Sequence, residues 1–95
     1  MATSLLNTVK ADLHIGSNSK NEQISEAIET AEMRMRMMGV GVINENDPTT
    51  VRCVKLYCRF DFNFQGEAER YFSAFEYMAN AMALSGDYRD PGEDL

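Results

Sequence analysis

Cys53 and Cys58 are the two thiols of this chain, His14 is its one imidazole, and fifteen carboxylates stand against nine basic side chains. A reactive thiol needs a neighbour that lowers its pKa, and a metal site needs several ligands brought together. The two cysteines lie five residues apart, on different faces of a helix. No CxxC pair and no second histidine accompany them. Buried core cysteine is the expectation. His14 falls at the end of a first helix, where a cation suits the helix dipole, and its expected role is structural or incidental. A catalytic carboxyl pair needs one member desolvated, whereas these acids fall on helix faces and in the last residues, which reads as solvated surface. No nucleophile elbow, phosphate loop or zinc motif is present. Gly39-Val40-Gly41 lacks a preceding strand and reads as a helix stop and a flexible turn. The expectation is therefore no catalytic, cofactor-binding or metal-binding residue, and no enzyme.

Two charged ridges carry more information. Glu22, Glu26 and Glu29 form an acidic ridge at helical spacing. Arg52, Lys55 and Arg59 form a basic one. In a ring, each subunit offers one face to a different face of its neighbour, so ridges of opposite sign can meet head to tail. These six residues are the candidate subunit contacts, and the plain alternative is that both ridges are simply wet surface. Met33 and Met37 fall off the apolar stripe of their helix and are candidates to face another subunit.

The elements that carry these residues are set by periodicity. Thr3 and Ser4 can cap a first helix bearing Leu5, Leu6, Val9 and Leu13, which should stop at Gly16 before a polar loop. A second helix over residues 21–38 shows one stripe, Ile24, Ala27, Ile28, Ala31, Met35 and Met38. Glu32 and Arg36 can pair along it, and Gly39 suits its C′ position. Asp47-Pro48 is a helix start, with Asp capping and Pro at the first helical position. The segment 49–64 keeps helical spacing at Cys53, Leu56, Tyr57, Phe60 and Phe64, although residues 60–64 also alternate as a strand would. Helix is preferred for its length and its start. Such a helix is apolar around most of its girth, as the central helix of a small bundle would be. Gln65-Gly66 breaks the chain, and residues 67–84 form a last helix with Ala68, Tyr71, Phe72, Phe75, Ala79 and Met82 on one side. From residue 87 on, Asp87, Asp90, Glu93 and Asp94 with Pro91 and Gly92 read as extended and mobile.

The fold class expected is all-α: a bundle of about four helices over residues 1–88, with a flexible acidic tail over 89–95. Ninety-five residues make one domain, and 44% hydrophobic residues with five Phe and four Tyr exclude disorder. A net charge of −6 argues against a dedicated nucleic-acid binder. Neither a secretory signal nor a membrane-length apolar run is seen, so a reduced protein made in the cytoplasm, with no membrane partner, is expected.

The order of these pieces resembles the bacteriophage head–tail connector (head-completion, DNA-packaging adaptor) family. The phrases that carry the resemblance are Val9-Lys10-Ala11-Asp12-Leu13-His14-Ile15, the Ile- and Ala-rich helix ending at Gly39-Val40, and Asp47-Pro48 before Val54-Lys55-Leu56-Tyr57. They continue with the aromatic run 60–64, Glu69-Arg70-Tyr71-Phe72, Phe75-Glu76-Tyr77 and Leu84-Ser85-Gly86-Asp87-Tyr88. Together they span residues 5–88, and order, spacing and length persuade more than any one phrase. Asp12 and His14, where small and basic residues are commoner, and the unusually aromatic 60–64 run depart from the pattern. The resemblance implies a virion protein at the head–tail junction, assembling as a homo-oligomeric ring, commonly a dodecamer, and often monomeric when free. Its partners would be the portal protein and a tail or head-closure protein. DNA would pass through the channel without specific binding, which an acidic lining would favour by repelling phosphates. The tail is expected to order on the portal or a neighbouring subunit. The rival expectation is a small acidic inhibitor that mimics DNA.

Overall fold

A computed structural model describes residues 2–89. Four helices, α1 (Ala2–Asp12), α2 (Asn21–Met37), α3 (Pro48–Asp61) and α4 (Ala68–Leu84), are joined by short turns, with 3-10 turns at Phe64–Gly66 and Gly86–Tyr88. No strand occurs among the described residues, so the all-α expectation holds. α3 is central: it packs against α4 on one side, α2 on another and α1 on a third.

The stripes predict the core well. Ile24, Ala27, Ile28, Ala31 and Met35 of α2 are buried, as are Tyr71, Phe75, Ala79 and Met82 of α4. The buried set of α3 differs from its predicted stripe. Cys53 and Tyr57 are buried as expected, but Leu56, Phe60 and Phe64 are only half-buried, and Thr50, Val54 and Cys58 are buried instead, because a helix packed on three sides buries more than one face. Between α3 and α4 runs an aromatic seam. The Tyr57 ring meets Phe75 edge-on at 5.1 Å and Phe60 at 5.4 Å, and Phe60 lies 4.7 Å from Phe72. Such contacts add to burial itself. The Arg34 guanidinium sits 5.8 Å from both the Tyr57 and Phe72 rings, so α2 lays a cation over the seam.

The helix ends are explicit. Asp47 caps α3, accepting from the Thr50 N–H at 2.9 Å and from the Thr50 hydroxyl at 3.1 Å, and Pro48 occupies the first helical position. The second bond satisfies a hydroxyl on a fully buried residue. Gly39 terminates α2 as expected, at φ 112, with its N–H on the Arg36 carbonyl and the Val40 N–H on that of Met35. Val40 is buried, close to Met35 in the same motif.

Four expectations need correction. α1 already includes Thr3 and Ser4, expected to cap it, and it does not run to Gly16. It stops at a left-handed His14 (φ 61), whose N–H bonds the Ala11 carbonyl while the Ile15 N–H bonds that of Lys10. The same closure normally uses glycine. Second, residues 60–64 are neither strand nor unbroken helix: α3 ends at Asp61, and Asn63 turns left-handed at φ 47. Third, Gly39-Val40-Gly41 is more than a flexible turn, since the Gly41 and Val42 N–H groups both bond the Tyr88 carbonyl, at 2.8 and 2.9 Å. Fourth, Asp87 and Tyr88 are not extended but belong to a 3-10 turn capped by the Ser85 hydroxyl. The expected mobile tail otherwise falls on residues 90–95, which lie outside the described residues.

Candidate functional site

The two ridges stand on different helices. Glu22, Glu26 and Glu29 are exposed on α2, and none forms an ion pair with Arg52, Lys55 or Arg59 among the described residues. On α3, Arg52 is exposed, and Lys55 and Arg59 are half-buried. They line a groove of about 520 Å³ together with Asp12, Pro48, Thr49, Val51 and Leu56. Val51 and Leu56 add apolar area to its lining.

The basic ridge is not uniform. Arg59 is taken by Asp12 of α1 in a two-pronged pair, Nε to Oδ2 at 2.8 Å and Nη2 to Oδ1 at 2.6 Å. Its guanidinium also lies 5.5 Å from the Phe64 ring and 5.2 Å from Tyr71. The hydrogen bond with Asp12 holds the Arg59 pKa above its ordinary value. Arg59 thus ties α1 to the turn after α3, and Arg52 and Lys55 are the ridge cations left open to a partner. Sequence reasoning missed this because Asp12 and Arg59 are 47 residues apart, and nothing local signals the pairing.

A second acidic feature was also missed. Glu32 of α2 turns toward Glu45 of the α2–α3 connection and does not close the expected ion pair with Arg36. Burial pushes the Glu32 carboxyl up to about 7. A hydrogen bond with Glu45 and the charges of Glu45 and Glu29 push the same way, and Arg36 opposes them. Glu32 Oε2 is buried and has no hydrogen-bond donor among the described residues, an environment that disfavours the ionised carboxyl. Nearby, Asp47 accepts a further hydrogen bond from the Tyr88 hydroxyl at 2.8 Å. Its bond from the Thr50 N–H, reinforced by Tyr88, holds the Asp47 carboxyl below the usual range.

The residues with reactive chemistry sit elsewhere. Both thiols are buried, as expected of core cysteines, and burial pushes each up to about 12. Cys53 Sγ faces the Phe75 carbonyl at 3.9 Å. His14 is exposed and stacks on Phe64 at 5.8 Å, so its position serves the turn that ends α1. Among the described residues no three His, Cys, Asp or Glu side chains are grouped to hold a metal ion. No helix among them is long and apolar enough to cross a membrane.

Apolar exposure adds to the charged faces. Met33 and Met37, one turn apart on α2, are 56% and 78% exposed, and Tyr77 and Leu84 of α4 are 80% and 85% exposed. The core is complete without these four side chains. Neither a family model, a curated protein nor a solved structure matches this chain.

Proposed function

We propose that this chain is a ring-forming structural subunit of the phage head–tail connector type, placed under the portal to extend the DNA channel and to offer a docking surface to further connector or tail proteins. The observation that carries the reading is that a completed helical core presents two faces of opposite charge with no partner within the described chain. One is Glu22, Glu26 and Glu29 on α2; the other is Arg52 and Lys55 on α3. Head-to-tail contact of such faces on one rigid scaffold generates a closed ring when the rotation between copies closes. The exposed Met33 and Met37 on α2 supply adaptable apolar area beside the acidic face. Arg59, committed to Asp12, positions the turn at the end of α3 and is not itself a contact. The resemblance in the order of the helices and their connecting phrases supports the assignment to the head–tail junction.

The test is electron microscopy of particles assembled without the chain. DNA-filled heads that leak or lack tails are expected, and normal tailed particles would overturn the reading. Within it, Glu26→Lys should reproduce the defect, and adding Lys55→Glu in the same chain should restore tailed particles by exchanging the charges across the contact. A defect left uncorrected by the second change would remove the ridge pairing.

A further inference from the structure

α2 carries its exposed acids and its exposed methionines on one face. Glu22, Glu26, Glu29, Met33 and Met37 recur every three or four residues, opposite the buried stripe of Ile24, Ala27, Ile28, Ala31 and Met35. The first half of this face is acidic and the second half apolar, with Arg36 at its edge on the side of Glu32. The change takes a single turn, about 6 Å between Glu29 and Met33.

A matching change runs across α3 and α4. Arg52 and Lys55 line the basic groove, each without an ion-pair partner among the described residues. Thr49 lines that groove and also an apolar hollow of about 260 Å³ to which Tyr77, Ala81 and Tyr88 contribute. Leu84, a further turn along α4, continues the exposed apolar strip of Tyr77 and Ala81. Thr49 stands one turn before Arg52, so basic surface gives way to apolar surface within about 5 Å.

We propose that the α2 face of one copy seats on the α3–α4 strip of the next, with Glu26 and Glu29 over Lys55 and Arg52, and Met33 and Met37 in the hollow beside Tyr77 and Ala81. Opposite charge adjoins apolar area in the same order on both surfaces, and the lengths agree. Glu26 to Met37 rises about 16 Å, and Lys55 to Thr49 about 9 Å with the hollow beyond it. The order also sets the direction. The neighbour's α2 runs antiparallel to α3, and so parallel to α4, since the Tyr57–Phe75 and Phe60–Phe72 pairs show α3 and α4 to be antiparallel. A two-fold contact of α4 on α4 would cover the apolar strip but leave the acidic face of α2 unmet. The inference rests on the reading of the chain as a head-to-tail ring subunit, and adds the apolar half, the register and the direction of its contact.

The test is disulfide trapping in concentrated solutions of singly substituted full chains mixed in pairs. Cys53 and Cys58 stay in place because both are buried. Met37→Cys with Ala81→Cys should link about tenfold faster than Met37→Cys with Lys55→Cys. Likewise, Glu26→Cys with Lys55→Cys should link about tenfold faster than Glu26→Cys with Ala81→Cys. High salt should slow both favoured pairs by screening the charged half of the contact. Equal rates in the four mixtures, or faster linking of the crossed pairs, would overturn the proposal. So would Ala81→Cys linking to itself faster than to Met37→Cys, which marks a two-fold contact. Trapping in solution does not need particles, so the two readings fail separately. No preference, beside heads that leak or lack tails when the chain is removed, would sink this register and keep the connector reading. The expected preference beside normal tailed particles would keep the contact and remove the connector role.

Discussion

The corners after α2 and after α3 solve the same problem by different means. Between α2 and α3 the two ends of the reversal are written locally, and Tyr88 only braces what lies between them. Gly39 takes φ 112, Val40 is buried beside Met35, and Asp47-Pro48 starts the next helix. Between α3 and α4 the chain forces side-chain-bearing residues into the left-handed region, Asn63 at φ 47 and Gln65 at φ 55, before Gly66 at φ 72. Contacts from α1 hold this second corner: His14 stacks on Phe64, and Arg59, fixed by Asp12, lies over the same ring. A locally encoded corner carries little strain. One held from a distance can tolerate strain, because the contacts around it over-determine the backbone.

Glycine substitutions expose the difference most strongly. A Cβ on Gly39 would add a left-handed penalty to a contact of 3.2 Å with the Ala83 Cβ of α4. Gly39→Ala should therefore lower stability by about 2–3 kcal/mol. A Cβ on Gly66 meets nothing within 4 Å, so Gly66→Ala should cost only the conformational part, about 1 kcal/mol. Chemical denaturation of the two variants measures the gap. Equal losses would mean that the first corner has no tighter packing than the second.

The acid pair separates the corners by pH. Glu32 faces Glu45, which lies in the first corner, and its carboxyl is pushed up to about 7 from an ordinary 4.5. The folded chain therefore holds a proton between those values that the unfolded chain has lost. This contribution to stability is full below pH 4.5 and falls as the pH rises toward 7. Glu32→Gln should flatten that slope and stabilise the protein above pH 7 by about 1 kcal/mol, a modest figure because solvent screens the pair. Stability measured across this range in wild type and variant checks it, and an unchanged slope would show that the Glu32 carboxyl is not raised in the folded chain.

Sequence made the first corner legible and hid the second for a physical reason. Gly39, Asp47 and Pro48 act through their own backbone preferences, so their types announce their positions. The stripes of α2 and α4 were equally plain, since each helix buries one face. α3 was harder. Packed on three sides, it buries Val54 and Cys58 beside the predicted Cys53 and Tyr57 and leaves the predicted Leu56 and Phe60 half-buried, and periodicity loses its contrast. The end of α3 and the stop at His14 depend on Asp12–Arg59 and His14–Phe64, contacts between residues distant in sequence, and no local pattern encodes them. For the candidate site, sequence placed the acidic ridge correctly on an exposed face. It could not show that Arg59 was already paired, nor that Tyr88 returns to the start of α3.

The smallest expected effect tests the strained corner directly. Gln65 is exposed at φ 55, and no hydrogen bond or ion pair of its side chain among the described residues explains that conformation. Gln65→Gly would remove the left-handed penalty of about 1–2 kcal/mol and add back part of that to the unfolded chain's freedom. A net gain of about 0.5 kcal/mol is expected, with the wild-type pH slope retained because Glu32 and Glu45 are untouched. Thermal and denaturant unfolding would register the gain as a shifted midpoint with an unchanged denaturant slope. A loss of stability instead would mean that Gln65 makes contacts that favour its conformation. The second corner would then be as locally satisfied as the first, and the contrast between them would reduce to Gly39 and its neighbour Ala83.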